Sequence, residues 1–108
     1  MNDVPKLPKA YQSFLQRYPR IGQAWDLLTE AGLDGPLDAK TARLIKLAIA
    51  VGAMREGAVH ASVRKALAMG IAMAEIEQVV ALAASTLGLP SAVAIHSWIA
   101  DDLAKQHQ

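Results

Sequence analysis

Apolar residues recur at intervals of three and four along most of this chain of 108 residues, and this period most constrains its fold. Such spacing is typical of helices that bury one side. No run of alternating apolar and polar residues predicts a strand. We therefore expect an all-α protein. The spacing i, i+3, i+4, i+7 is clearest in the first predicted helix, at Tyr11, Phe14, Leu15 and Tyr18.

Two prolines mark the starts of the first two helices. Pro8 and Pro19 both suit a first helical turn, where the N–H that proline lacks would have no partner. They predict helices over about residues 8–17 and 19–31. Along the second helix, the apolar spacing predicts a buried side formed by Ile21, Trp25 and Leu28.

Four more helices follow, which makes about six. Asp38 is a suitable N-cap for the third helix, and this helix is so largely apolar that we expect it to be central. The fourth covers about residues 56–69, and Gly70 suits the left-handed residue that follows a helix. The fifth covers about 73–87, and the sixth, after Gly-Leu-Pro, covers about 91–106.

Charge and cysteine content exclude several classes of protein. Eleven basic and ten acidic residues give a net charge of +1, unlike the strongly basic surface of a nucleic-acid binder. No cysteine is present, so this chain offers no disulfide, zinc–thiolate site or thiol redox centre. The N-terminal residues lack the apolar segment of a signal peptide, and no apolar run is long enough to cross a bilayer. We expect a cytoplasmic protein with no nucleic-acid or membrane partner.

The hydrophobic content, 53%, is slightly high for a small soluble domain. Much of it is aliphatic, and the surplus predicts burial between subunits of a homo-oligomer. A compact, alanine-rich helical monomer is the alternative.

Several short motifs follow one another in an order that carries more information than any one of them. They are PLDAKTARLI at 36–45, REG at 55–57, KALAMG at 65–70, the pair Glu75-Ile76 and GLP at 88–90. With this order, residues 36–98 resemble the carboxymuconolactone decarboxylase family, which includes the alkylhydroperoxidase AhpD-like proteins. The resemblance implies an AhpD-like helical fold with a central helical hairpin, and a homo-oligomer, either a trimer or a hexamer. It also implies one domain over 1–108, with leader helices in 1–35 and the family core in 36–106.

The reactive residues of the family are missing from this chain. Counting back from Gly70, the two cysteines of AhpD-like members would fall at Arg55 and Ala58, their histidine at Ser62 and a relay glutamate near Arg43. The decarboxylase-like version has glutamate at the position of Ala58 and histidine at that of Ser62. Thiol peroxidase activity needs a thiolate nucleophile, so it is excluded. The decarboxylase chemistry loses both of its polar groups at these positions.

Glu56 and His60 are the remaining candidates for catalysis. They lie one helical turn apart, so the carboxylate can orient the imidazole as a general acid or base. The alternatives are a pair that stabilises the helix by about 0.2–0.5 kcal/mol, or a Glu56 that only interacts with the helix dipole. At about 100° per residue, His60 points nearly opposite to Ser62.

Two hypotheses on function follow. The first is a cofactor-independent, non-redox lyase-type enzyme that acts on a small organic acid or lactone. In it, Glu56 and His60 transfer protons, Arg55 or Arg43 holds a carboxylate, and His96 shares the pocket. The second is a catalytically silent oligomeric binding or scaffold protein, with the fourth and fifth helices buried against neighbouring subunits. For His96 alone, the alternative is a histidine at a subunit contact or partly buried in the core. No group of residues has convincing metal-ligand spacing, so we predict no metal and no cofactor.

Overall fold

The computed structural model describes residues 9–106, with side chains as far as residue 104. Pro8, predicted to begin the first helix, lies outside the described residues. Those described form six helices and no strand, so the predicted all-α fold of about six helices is confirmed. The helices are α1 (Lys9–Arg17), α2 (Pro19–Leu33), α3 (Ala39–Gly52), α4 (Glu56–Ala68), α5 (Met73–Leu87) and α6 (Leu89–Gln106).

The ends of the middle helices follow from local chemistry. Oδ1 of Asp38 accepts a hydrogen bond of 2.7 Å from the backbone N–H of Thr41, so Asp38 is the N-cap of α3 as predicted. Hydrogen bonding first with the Thr41 side chain and then with this backbone N–H holds the pKa of Asp38 below its ordinary value. At the end of α4, Gly70 has a φ of 83°, and the N–H of Ile71 bonds to the carbonyl of Ala66 at 3.0 Å. Gly70 therefore occupies the left-handed position that its sequence context predicted.

The core lies within the four helices α3 to α6. α3 packs against α4 and α5, and α6 packs against the same two helices from the other side. A short turn joins α3 to α4, which makes the central helical hairpin. Burying a large aliphatic side chain stabilises a fold by about 1.5–3 kcal/mol, so the cluster of buried aliphatic side chains in these four helices contributes most of the stability. Its largest fully buried members are Leu47, Val51, Val59, Val63, Ile76, Ile95 and Ile99.

The leader helices α1 and α2 pack against each other and keep their apolar sides largely uncovered. Ile21, Trp25 and Leu28 were predicted to form a buried side, but they are 47%, 49% and 68% exposed. The prediction is wrong because an amphipathic pattern tells which side of a helix is apolar, and it does not supply a surface to cover that side. In a single chain, the apolar sides of α3 to α6 cover one another, and those of α1 and α2 stay largely exposed. Between residues 9 and 106, no helix is both long enough and apolar enough to cross a membrane.

Candidate functional site

His60 lies between two carboxylates that come from different helices. Its Nδ1 is 2.6 Å from Oδ2 of Asp102 on α6, and its Nε2 is 3.1 Å from Oε2 of Glu56 on α4. The packing of α6 against α4 brings Asp102 to the imidazole across 42 positions of sequence. The predicted pair of Glu56 and His60 is thus the outer part of a three-residue array, and Asp102 is its inner part.

The two carboxylates of the array differ in their access to water. The side chain of Asp102 is 7% exposed, whereas that of Glu56 is 57% exposed. Partial burial of His60 favours its neutral form, but the hydrogen bonds that its ring donates first to Asp102 and then to Glu56 outweigh this, so its pKa is raised above 6.5. The array therefore favours an imidazolium that donates to both carboxylates.

Loss of one proton from this imidazolium leaves a reactive nitrogen. The short contact to the buried Asp102 keeps the remaining proton on Nδ1. Nε2 then carries a lone pair and faces Glu56. The Glu56 side chain is largely exposed to solvent, so it can move away from Nε2. Histidine held in this way by a carboxylate can accept or donate a proton at Nε2.

Asp102 was missed by sequence reasoning, although a signal was present. On α6 the buried positions Ala92, Ile95 and Ile99 repeat at helical spacing, and the next position of that stripe is Asp102. Its neighbour Asp101 is exposed. Because charged residues are rarely buried without a partner, a carboxylate on an apolar stripe indicates that a partner lies opposite.

The other predicted residues do not join His60. His96 lies six residues before Asp102, about 240° around α6, and its Nε2 is 3.8 Å from Oε2 of Glu77. Arg55 occupies the N-cap position of α4. Arg43 lines a separate cavity of about 430 Å³ that lies between α2, α3 and α4.

The positions that are reactive in the family lie away from the imidazole. Ser62 is only 7% exposed and lies on the core side of α4, between the buried positions Val59 and Ala66. Ala58 is exposed. Neither side chain titrates near neutral pH, whereas an imidazole such as that of His60 does. Within residues 9–106, no group of three or more histidine, aspartate or glutamate side chains is placed to hold a metal ion.

Comparison with known protein families agrees with the motifs. The model of the carboxymuconolactone decarboxylase family matches residues 19–101. The chain therefore belongs to the carboxymuconolactone decarboxylase family. The matched range includes α2 as well as the residues 36–98 that carried the resemblance. No curated protein matches the chain, and no solved structure does.

Proposed function

We propose that the protein is a non-redox, cofactor-independent lyase-type enzyme that acts on a small organic acid or lactone, with His60 as its proton-transfer residue. The observation that carries this proposal is the array of Asp102, His60 and Glu56. The buried Asp102 orients the imidazole, and the exposed Glu56 covers Nε2 in the absence of a substrate.

The raised pKa of His60 supports a role as a general acid. In the loss of CO₂ from a lactone acid, the carbon–carboxylate bond breaks and its electron pair stays on the substrate, conjugated with the lactone carbonyl. Nε2 of the imidazolium then gives its proton to the carbon that holds this pair. Water returns a proton to His60, so one carboxylate and one proton become one C–H bond and CO₂.

Family membership, together with the cysteine content of the chain, supports the non-redox part of the proposal. Peroxide reduction in the family uses a pair of cysteines, and this chain contains none.

Arginine suits a substrate carboxylate through its paired N–H groups, and Arg55 lies one residue before Glu56. A carboxylate held at Arg55 would lie close to the first turn of α4, where the carboxylate of Glu56 is located.

The direct test incubates the protein with a panel of small lactone carboxylic acids in D₂O and follows the products by NMR. The proposal expects released CO₂ and one deuterium on the carbon that lost it. His60→Gln should lower the rate by about 10²–10⁴-fold, the usual contribution of a positioned acid or base. His96→Gln is the matched control, since it removes a histidine that contacts Glu77 and lies away from His60. Equal rates in His60→Gln and the native protein would overturn the role of His60.

We also propose that the protein is a homo-oligomer, a trimer or a hexamer. Large apolar side chains of α1 and α2 support this: Phe14 and Ile21 are 49% and 47% exposed. Contiguous exposed apolar surface of this kind marks sites of protein–protein contact. Light scattering coupled to size-exclusion chromatography would give the mass, and a mass of one chain at micromolar concentration would refute the proposal. The cytoplasmic location stays a prediction.

A further inference from the structure

The cavity between α2, α3 and α4 is a feature that the His60 array does not explain. Its volume of about 430 Å³ falls in the range of roughly 300–1,000 Å³ that small-molecule sites occupy. None of the three residues of the array lines it. Most of its wall is apolar, and the larger side chains are Trp25, Leu28, Leu37, Ile49 and Met69.

The polar part of the wall is almost entirely cationic. Arg43 and Lys46 come from one face of α3, three residues apart, and Lys65 reaches the cavity from α4. No aspartate or glutamate is among the residues that line the cavity. Three positive charges therefore share a mostly apolar space with no carboxylate to balance them.

Arg43 and Lys65 are both held in surroundings that disfavour their charges. Nε of Arg43 is buried and has no hydrogen-bond partner among the described residues. Burial lowers the pKa of Arg43, and burial followed by repulsion from Arg43, Lys46 and Arg64 lowers the pKa of Lys65. An anion in the cavity would offset this repulsion by accepting hydrogen bonds from the cationic side chains that line it.

We infer that this cavity binds an amphipathic organic anion, with one carboxylate or phosphate head group at Arg43, Lys46 and Lys65. The apolar body of the ligand lies against Trp25, Leu28 and Ile49. A ligand that is only a head group makes no apolar contacts, and an uncharged chain leaves the cations of the cavity unpaired. Strong binding therefore needs both parts of the ligand. The inference goes beyond the proposed lyase activity because the two sites share no residue.

Isothermal titration calorimetry of the full chain tests this inference with defined probes. Decanoate and decyl phosphate combine an anionic head with an apolar body, whereas decan-1-ol lacks the charge and inorganic phosphate lacks the chain. The inference expects saturable binding of one decanoate or decyl phosphate per chain, below the concentration at which either probe forms micelles. Decan-1-ol and inorganic phosphate should each bind at least tenfold more weakly, the ratio that loss of about 1.4 kcal/mol produces.

Single-charge variants locate the site. Arg43→Gln and Lys65→Gln should each weaken decanoate binding by about tenfold or more, because each removes a charged hydrogen-bond donor to the head group. Arg64→Gln is the matched control, since it removes the same charge one residue away, from a side chain that does not line the cavity. Helical circular dichroism of each variant confirms folding, and Lys46→Gln gives a third measurement if either principal variant fails to fold.

Three outcomes would overturn the inference. They are no binding of decanoate, equal binding of decanoate and decan-1-ol, and equal weakening by Arg64→Gln and Lys65→Gln. Binding of decanoate only when the protein dissociates into single chains would show that a second copy fills the cavity. None of these outcomes bears on His60, so the lyase proposal fails or survives separately.

Discussion

His60 contacts one carboxylate that water reaches and one that it does not, and the two should contribute unequally to its titration. Asp102 is closer to the ring and nearly buried, so solvent screens its charge much less than that of Glu56. We expect Asp102→Asn to lower the pKa of His60 clearly and Glu56→Gln to lower it less. NMR titration of the imidazole protons measures both. A larger effect of Glu56→Gln would show that the outer carboxylate controls the ring.

The same raised pKa makes stability depend on pH with a defined sign. A histidine whose pKa is higher in the folded chain adds stability that is fully present below its unfolded value of 6.5. This stability is lost as the pH rises through the folded value. The free energy of unfolding of the native protein should therefore exceed that of His60→Gln most at about pH 6, and less at about pH 8. Urea unfolding at both values measures the difference, and a difference that grows with pH would contradict the prediction.

Helices α3 and α4 end with similar backbone hydrogen bonds but with different residues in the left-handed position. After α4 it is Gly70, with a φ of 83°, and after α3 it is Met54, with a φ of 56°. In the turn after α3, the N–H of Arg55 bonds to the carbonyl of Ala50 at 3.3 Å, which matches the bond of Ile71 to Ala66 after α4. The left-handed conformation is strained for a residue with a Cβ and costs glycine nothing.

This contrast predicts opposite effects of two substitutions on stability. Met54→Gly should raise the free energy of unfolding by about 0.5–1 kcal/mol, because it removes the backbone strain and the Met54 side chain is already 40% exposed. Gly70→Ala should lower it by about 1 kcal/mol, and by strain alone, since a Cβ there would meet nothing within 4 Å. Chemical denaturation of both variants checks the pair. A destabilised Met54→Gly would mean that the side-chain contacts of Met54 matter more than its backbone.

The sequence was a good guide to single elements because the signals that begin and end a helix are local. Asp38 caps α3 through a residue three positions on, and Gly70 ends α4 through its own backbone angles. Such effects need no knowledge of the rest of the fold. The left-handed conformation of Met54 could not be predicted in this way, since nothing in a methionine side chain indicates a left-handed residue. Its left-handed backbone lies in the turn between α3 and α4.

At the scale of the whole molecule, the sequence placed single charges on helices but could not show which charges meet. The pair of Glu56 and His60 was predictable because both lie on α4, but Asp102 joins them only through the packing of α6 on α4. In the same way, Arg43 and Lys65 approach one wall of a cavity from two helices. Which residues meet in a site depends on the arrangement of the core, and a helical period specifies only one face at a time.

The uncovered side of the leader helices leads to a prediction about assembly. If α1 and α2 form the contact between subunits, a polar residue in place of Phe14, which is 49% exposed, loses an apolar contact in the oligomer and little in the single chain. We expect Phe14→Ser to shift the mass measured by light scattering towards that of one chain, and to leave helical circular dichroism unchanged. Leu82→Gln is the control, because Leu82 is 68% exposed on α5, away from the leader helices. A fall in mass with Leu82→Gln but not with Phe14→Ser would place the contact on α5.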